Sequence, residues 1–313
     1  MIRTKPTVTE SKPASAPHRR GGGHWRGAAQ QLVFMAPAAI LLGVLSLYPI
    51  YLMVRMALSD VTAANLRGAW PFIGFSNLTQ TLQDPTFRAV TLQTLVFLFG
   101  VLVFTLAVGF VWAMMLRLPT RINYVAQTLM VFVWALPPVV VGNVWSFLLS
   151  SSGPLNAALV AGHVVPSPIP FLSQPETSLL SIAAVTLWAG VPFAVLVIKS
   201  AILDIPVDVL EAARVDGAKP IQTVWHIILP SIRPTLYILG VLSVVGAFKG
   251  FDFIYVMTTG GPGASSSTIP FLAYRTAFKD YQFGTAGAMS VLAMLIVLVL
   301  ATAYIVVVQR EER

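Results

Sequence analysis

Six segments of this chain are each long and apolar enough to cross a lipid bilayer, which takes about 20 mostly apolar residues in a helix. Backbone groups inside a bilayer must pair within the protein, so isolated segments of this kind are restricted to helices. The composition agrees, since 56% of the 313 residues are hydrophobic and only 10% are charged. We therefore predict an all-α integral membrane protein with six transmembrane helices at residues 32–54, 94–116, 128–149, 179–198, 235–257 and 285–308.

The positions of Lys and Arg predict the orientation, because cytoplasmic connections of membrane proteins carry the excess of these residues. Of the 20 basic residues, 14 lie in the N-terminal tail, the second and fourth connections and the C-terminus. Five lie in the connections on the opposite side, and Lys249 lies within a span. Both termini are thus predicted to be cytoplasmic, in a multi-pass protein of the cell membrane.

Composition also predicts how the chain is divided. The second external connection, residues 150–178, is rich in Pro, with a short helix expected near residues 155–161. The net charge of +8 favours anionic lipid headgroups at the cytoplasmic helix ends as partners, and not nucleic acid. The expected regions are a disordered basic tail (1–27), an anchor helix with an external loop (28–93), a five-helix core (94–308) and a cytoplasmic C-terminus (309–313).

A charged segment, residues 204–230, lies between the fourth and fifth spans. Asp208 and Glu211 have the spacing of a capping box, and Gly217 is a typical helix stop. These residues predict a short helix over about residues 207–216. It stands where a membrane protein would normally have a short loop.

The second half of this segment predicts another helix, which Pro220 can open and which Pro230 and Pro234 would close. Its apolar residues form one stripe at helical spacing: Ile221, Val224, Trp225, Ile228 and Leu229. From these residues alone, the segment is either a docking element for another protein or an amphipathic hairpin resting on the cytoplasmic leaflet.

The order of residues in the segment is Glu-Ala-Ala, two residues, Asp-Gly-Ala, a spacer and Leu-Pro. This order resembles the EAA loop of the membrane-spanning subunits of binding-protein-dependent ABC importers. The resemblance implies the type I ABC importer permease fold, in which this loop is a cytoplasmic coupling helix that docks into a cleft on a separate ATPase. The residues that it assigns to ATPase coupling are Glu211, Ala212, Ala213, Asp216, Gly217, Ala218, Leu229 and Pro230.

A second stretch, residues 251–262, ends in Gly260-Gly261-Pro262 and resembles the end of the fifth core segment in sugar-importing members of the family. The core opens with Gln93 where an Asn is common in the family. The resemblance implies a permease subunit of an ATP-driven carbohydrate importer that works by alternating access. The implied partners are a second homologous permease subunit, two copies of a cytoplasmic ABC ATPase and an extracytoplasmic solute-binding protein. ATP and magnesium are expected on the ATPase, with no cofactor on this chain.

A polar solute needs hydrogen-bonding groups and aromatic faces along its path through the bilayer. Interruptions of helical hydrogen bonding are expected at Pro137-Pro138 and around Pro192. Lys249 and Asp252 are three residues apart in one span, which favours an ion pair or a contact between Lys249 and the solute. Tryptophans near span ends can instead be interfacial, and Ser or Thr can bond back to their own helix. The candidate path residues are Asn143, Trp145, Thr186, Trp188, Gly190, Ser243, Lys249 and Asp252.

The sequence offers no catalytic constellation and no predicted metal site. Its four His residues are scattered, it has no Cys, and none of its six Lys residues follows a Gly, so a Walker A motif is missing. We expect the chain not to be an enzyme. Two rival functions remain open: import of another small polar solute such as a glycerol phosphate, and an ATP-independent carrier or membrane scaffold.

Overall fold

The computed structural model describes residues 24–311, with side chains described for residues 35–302 and 304. The described chain divides into two units between Tyr51 and Leu52. Most of the predicted tail lies outside the described residues. The described residues form helices joined by loops: α1 (His24–Ala57), α2 (Ser76–Gln83), α3 (Pro85–Met115), α4 (Arg121–Ala135), α5 (Pro138–Leu148), α6 (Pro154–Ala161), α7 (Pro175–Leu203), α8 (Val207–Val215), α9 (Pro220–Thr223), a π-helical turn (Val224–Ile228), α10 (Leu229–Ser231), α11 (Arg233–Phe248), α12 (Phe251–Met257), α13 (Ile269–Phe278) and α14 (Phe283–Glu311).

Five stretches of the described chain are helical, long and apolar enough to cross a membrane. Helices α4 and α5 pass the same test together but are bent by 101°, so the number is six if they form one broken span. The five stretches lie in α1 (Met35–Ala57), α3, α7, α11 with α12 (Arg233–Met257) and α14 (Phe283–Thr302).

The third span, predicted as one helix over residues 128–149, is two helices. Leu136 and Pro137 have extended ψ angles of 135° and 132°, which separate α4 from α5. A proline disfavours the helical conformation of the residue before it and cannot donate the helical hydrogen bond. Two consecutive prolines therefore turn the predicted kink into a sharp bend. Helix α7 continues through Pro192, whose nitrogen cannot donate the helical hydrogen bond, so the kink expected there stays a prediction.

The helix that opens the predicted core begins at Pro85 and not at residue 94. The Asp84 side chain accepts a hydrogen bond from the Thr86 N–H at 3.0 Å, and Pro85 occupies the first turn of α3. An acidic N-cap followed by proline is a strong helix start. These residues lie in the region predicted as an anchor helix with an external loop (28–93), which also contains α2. The short helix predicted near residues 155–161 is confirmed as α6.

Apolar packing in residues 52–313 centres on α7, which contacts α3, α4, α11 and α12. One buried cluster joins the N-terminal half of α7 to α3, α5 and α12, and includes Val101, Ile182 and Ile254. A second cluster joins its C-terminal half to the end of α3 and to the segment after α8, and includes Ile198 and Ile228. The charged segment is thus attached to the core through the second cluster.

Candidate functional site

The first arm of the charged segment is the predicted short helix, observed as α8. Gly217 has a φ of +76°, in the left-handed region that glycine adopts without strain. Its N–H donates to the Arg214 carbonyl at 3.1 Å, and the Ala218 N–H donates to the Ala213 carbonyl at 2.9 Å. These two bonds form a Schellman motif, which satisfies carbonyls left open at the helix end. The predicted stop at Gly217 is therefore confirmed.

The predicted capping box at the start of α8 is wrong. The helix begins at Val207, the N-cap is Pro206, and no side chain caps the helix. Asp208 lies inside the first turn, where its charge suits the helix dipole. The second arm does have a side-chain hydrogen bond at its start. The Lys219 N–H donates to the Gln222 side-chain oxygen at 2.8 Å.

The second arm is helical, and its last helix ends at Ser231, between the two prolines predicted to close it. Helix α9 passes into the π-helical turn, and helical structure resumes in α10 and α11. In the π turn the Leu229 N–H bonds to the Val224 carbonyl, one residue further back than in an α-helix. Pro230 and Pro234 each lie in the first turn of a new helix, where the missing N–H costs little. Helix α10 ends at Ser231 and α11 begins at Arg233, so the predicted closure at these prolines is confirmed, with helical structure resuming after Ile232.

The two arms together form the hairpin, residues 207–230, which has an attached side and an exposed side. Leu210 and Val224 pack against the second core cluster, and Ile228 is buried within it. Ile221 and Trp225 are 61% and 60% exposed, so the predicted apolar stripe is divided between the two sides. The exposed side also carries Val215, at 87% exposure, and the side chain of Glu211. An exposed apolar surface that also carries charged side chains is suited to contact another protein.

Among the candidate path residues, the structure brings Trp145 and Trp188 together. Their rings meet edge to face with centroids 5.5 Å apart, one from α5 and the other from α7. Both line a cavity of about 430 Å³ that Phe171, Thr177 and Ser181 also line. Aromatic faces beside a few hydroxyl groups are the usual chemistry of a small-molecule site.

The other polar candidates lie apart from this cavity. Asn143, Thr186 and Ser243 each donate a hydrogen bond of 2.8 Å to the carbonyl four residues earlier in the chain. These donors are used within their own helices, as the alternative interpretation for Ser and Thr predicts. Gly190 lies within α7, where a Cβ atom would meet nothing within 4 Å.

Lys249 and Asp252 do not lie on one continuous helix. Helix α11 ends at Phe248, Gly250 has a ψ of 56°, and α12 begins at Phe251. Both charged side chains are exposed, and no ion pair joins them in this described segment. The ion pair predicted from their spacing depended on a continuous helix, and the break at Gly250 means that this condition is not met.

Comparison with known proteins identifies the family. A family model described as "Binding-protein-dependent transport system inner membrane component" matches residues 105–312, about two thirds of the chain. The chain belongs to this family. The resemblance to ABC importer permeases is thereby confirmed, and the match includes the whole hairpin.

Two relatives extend the likeness over most of this permease. The sulfoquinovosyl glycerol transport system permease protein SmoG of Agrobacterium fabrum is 26% identical over 284 residues, 90% of this chain and 91% of its own. The trehalose/maltose transport system permease protein MalF of Thermococcus litoralis is 29% identical over 236 residues, 75% of this chain and 79% of its own.

The fold is shared with a solved transporter. A chain in the crystal structure of a bacterial alginate ABC transporter, in complex with an alginate pentasaccharide-bound periplasmic protein, matches this permease with a TM-score of 0.75. The match covers 90% of this chain and 96% of that chain at 23% identity. At this identity the likeness establishes a common fold.

Sequence reasoning gave no role to the polar residues that open the permease core. The Gln93 side chain donates to the carbonyls of Ala264 and Ser267, at 3.2 and 2.7 Å. The Thr94 hydroxyl accepts from the Ile269 N–H at 3.0 Å. Together they hold the loop that follows Gly260-Gly261-Pro262 against α3. The departure at Gln93 from the common Asn was the one sequence signal that pointed to this contact.

Proposed function

We propose that this permease is the transmembrane subunit of an ATP-driven importer for a mono- or oligosaccharide. Family membership supports the permease role, and the Trp145–Trp188 cavity supports the class of solute. Both relatives and the solved transporter are named for solutes that contain sugar units. Tryptophan rings pack against the C–H faces of sugars. The hydroxyls of Thr177 and Ser181 donate to the carbonyls of Pro170 and Phe171, at 2.8 and 3.0 Å, and their oxygens can still accept a hydrogen bond from a sugar hydroxyl.

The hairpin is the proposed contact with the ATPase. Residues Glu211 to Ala218 and Leu229-Pro230 would dock into a cleft of that subunit, with Glu211 as the polar contact to a basic group. The attached side supports this role, because Ile228 links the hairpin to α3 and α7 through buried apolar packing. Closure of the ATPases would then move the permease core as a rigid body and alternate the access of the path.

The remaining features of the proposal follow from the family and from charge. The chain would cross the cell membrane six times, with α4 and α5 as one broken span and both termini in the cytoplasm. Its partners would be a second permease subunit, two ATPase copies and an extracytoplasmic solute-binding protein. ATP and magnesium would bind to the ATPase and not to this chain. The other candidate path residues, among them Lys249 and Asp252, remain part of the proposal.

Affinity purification from the native membrane tests this function. We expect mass spectrometry to find a second permease and an ATPase with a Walker motif, both lost when Glu211 is replaced by Lys. Asp208→Lys is the matched control, because Asp208 is an exposed acid on the same helix outside the EAA pattern. Recovery of the chain alone, unaffected by Glu211→Lys, would favour the ATP-independent carrier or scaffold.

Uptake in proteoliposomes that contain the recovered partners separates the two solute classes. For a sugar importer, unlabelled neutral sugars compete with a labelled sugar, and glycerol phosphate does not. Competition by glycerol phosphate alone would favour the rival importer, in which the exposed Lys249 could supply the positive charge.

Trp188→Ala should weaken solute handling. We expect the KM for sugar uptake to rise about tenfold, because one buried aromatic contact contributes about 1.5 kcal/mol or more. Trp112→Ala is the control, since Trp112 is exposed on α3 to a similar extent and does not line the cavity. Equal KM values for wild type and Trp188→Ala would exclude the cavity from the path.

A further inference from the structure

A small cavity lies between the base of the hairpin and the end of α3. It has a volume of about 150 Å³, and its lining includes Met114 from the last turn of α3, Arg117 just after that helix, and Arg214 from the last turn of α8. Among the described residues that line it, the two arginines carry the only charges. Two arginines therefore line one cavity, and no Asp or Glu lines it with them.

The two guanidinium groups lack protein partners. Neither donates a hydrogen bond or forms an ion pair with any described residue. Among the described arginines, Arg88 donates to the Leu82 carbonyl at 2.6 Å and Arg275 donates to the Gly263 carbonyl at 2.9 Å, while Arg67, Arg121 and Arg233, like this pair, have no such partner. A cation near a helix C-terminus is favourable because of the helix dipole. That effect accounts for one arginine at each helix end but not for the meeting of both at one cavity.

The chemistry of this pair suits a phosphate group. The planar guanidinium fork donates two parallel hydrogen bonds to phosphate oxygens, and a phosphate has enough acceptor oxygens for two arginines. Arg117 follows the last residues of α3, a helix that can cross the membrane, so the cavity lies near the membrane surface. Lipid phosphates lie at this depth, and basic pockets between membrane helices bind anionic headgroups.

We propose that Arg117 and Arg214 bind a phosphate group, supplied by an anionic lipid headgroup or by free phosphate. A bound phosphate connects the hairpin to the end of a membrane helix. The hairpin position, and with it any contact with another subunit, then depends on whether the phosphate is present. This site is independent of which solute the permease carries.

Native mass spectrometry of the purified full-length chain tests the site. The chain is titrated with phosphatidylglycerol and, separately, with phosphatidylcholine. We expect tighter binding of phosphatidylglycerol, weakened about tenfold by Arg117→Gln and by Arg214→Gln, since each removes charge-assisted hydrogen bonds. Arg121→Gln is the matched control, because Arg121 is an exposed cation at the start of α4 that does not line the cavity.

A second arm identifies the source of the phosphate. If inorganic phosphate at millimolar concentration displaces phosphatidylglycerol in wild type but has no such effect in the Gln variants, the site takes free phosphate. If phosphatidylglycerol stays bound, the site takes the lipid headgroup. Wild-type lipid affinity in both Gln variants, or an equal loss in Arg121→Gln, would overturn the proposal. Arg117→Lys and Arg214→Lys, which keep the charge, replace the Gln variants if those fail to fold.

Discussion

Gly217→Val should separate ATP hydrolysis from solute uptake. Valine is strained at the φ of +76° that residue 217 adopts, at a cost of about 1–3 kcal/mol. Relief of this strain would break the bonds that Gly217 and Ala218 donate to the end of α8. The hairpin would then shift out of its docking position. A strain of about 1.4 kcal/mol changes the population of the docked position by a factor of ten, so we expect the ratio of solute transported to ATP hydrolysed to fall about tenfold. Proteoliposomes with the partner ATPase and binding protein give both rates.

Gly217→Asn is the control for this experiment. Asparagine tolerates the left-handed conformation and should keep most of the coupling. A Cβ atom at residue 217 would meet nothing within 4 Å, so an added side chain has no steric clash there. The expected defect is therefore one of backbone conformation, and Asn and Val should differ although both add a side chain. Normal uptake by Gly217→Val would contradict the coupling role of the hairpin.

The parts of the hairpin that sequence predicts are those set by local chemistry. The stop at Gly217 needs only a residue that adopts positive φ, and the helix before it follows from nearby residues alone. The course of the second arm depends on more distant packing. Ile228 is buried against α3 and α7, which favours a continuous helical path through the π turn and past Pro230. The spacing of residues in the sequence does not show how the burial of Ile228 directs the second arm.

The same distinction applies to the membrane-spanning part. Apolar length predicts where the spans lie, and the double proline predicts an interruption near residue 137, but neither gives the bend of 101°. Lys249 and Asp252 were placed on one face because the spacing rule assumes a continuous helix, and Gly250 interrupts it. The Trp145–Trp188 contact joins different helices, so it follows only from the packing of α5 against α7.

Contacts between distant parts of the chain were also beyond local patterns. The side chain of Gln93 bonds to carbonyls that lie more than 170 residues further along the chain. The loop it holds contains Ser266 and Ser267, which are fully buried. Buried hydroxyl groups need partners, and theirs are the carbonyls of Gly261 and Gly260, at 2.7 and 3.0 Å. The Gly-Gly-Pro segment therefore forms a turn and also supplies the carbonyl groups that hold an ordered polar loop in place.

Gly260→Ala should strongly destabilise this permease. A Cβ atom at residue 260 would lie 2.5 Å from Cε1 of Phe271 and 2.5 Å from Oγ of Ser267. Phe271 is fully buried in the first core cluster, so its ring has little room to move. The residue also has a φ of +83°, which alanine adopts only with strain. Overpacking and backbone strain together should lower the free energy of unfolding by about 3 kcal/mol.

Gly263→Ala gives the matched comparison, because the two glycines share one loop and one backbone region. Gly263 has a φ of +64°, and a Cβ atom there would meet nothing within 4 Å. Alanine at residue 263 should therefore lower the free energy of unfolding only by the strain of the left-handed conformation, about 1–2 kcal/mol. Size-exclusion profiles of fluorescently tagged variants after heating would rank the two. Equal melting temperatures would mean that Phe271 and Ser267 move aside easily, and that the loop is not held by close packing.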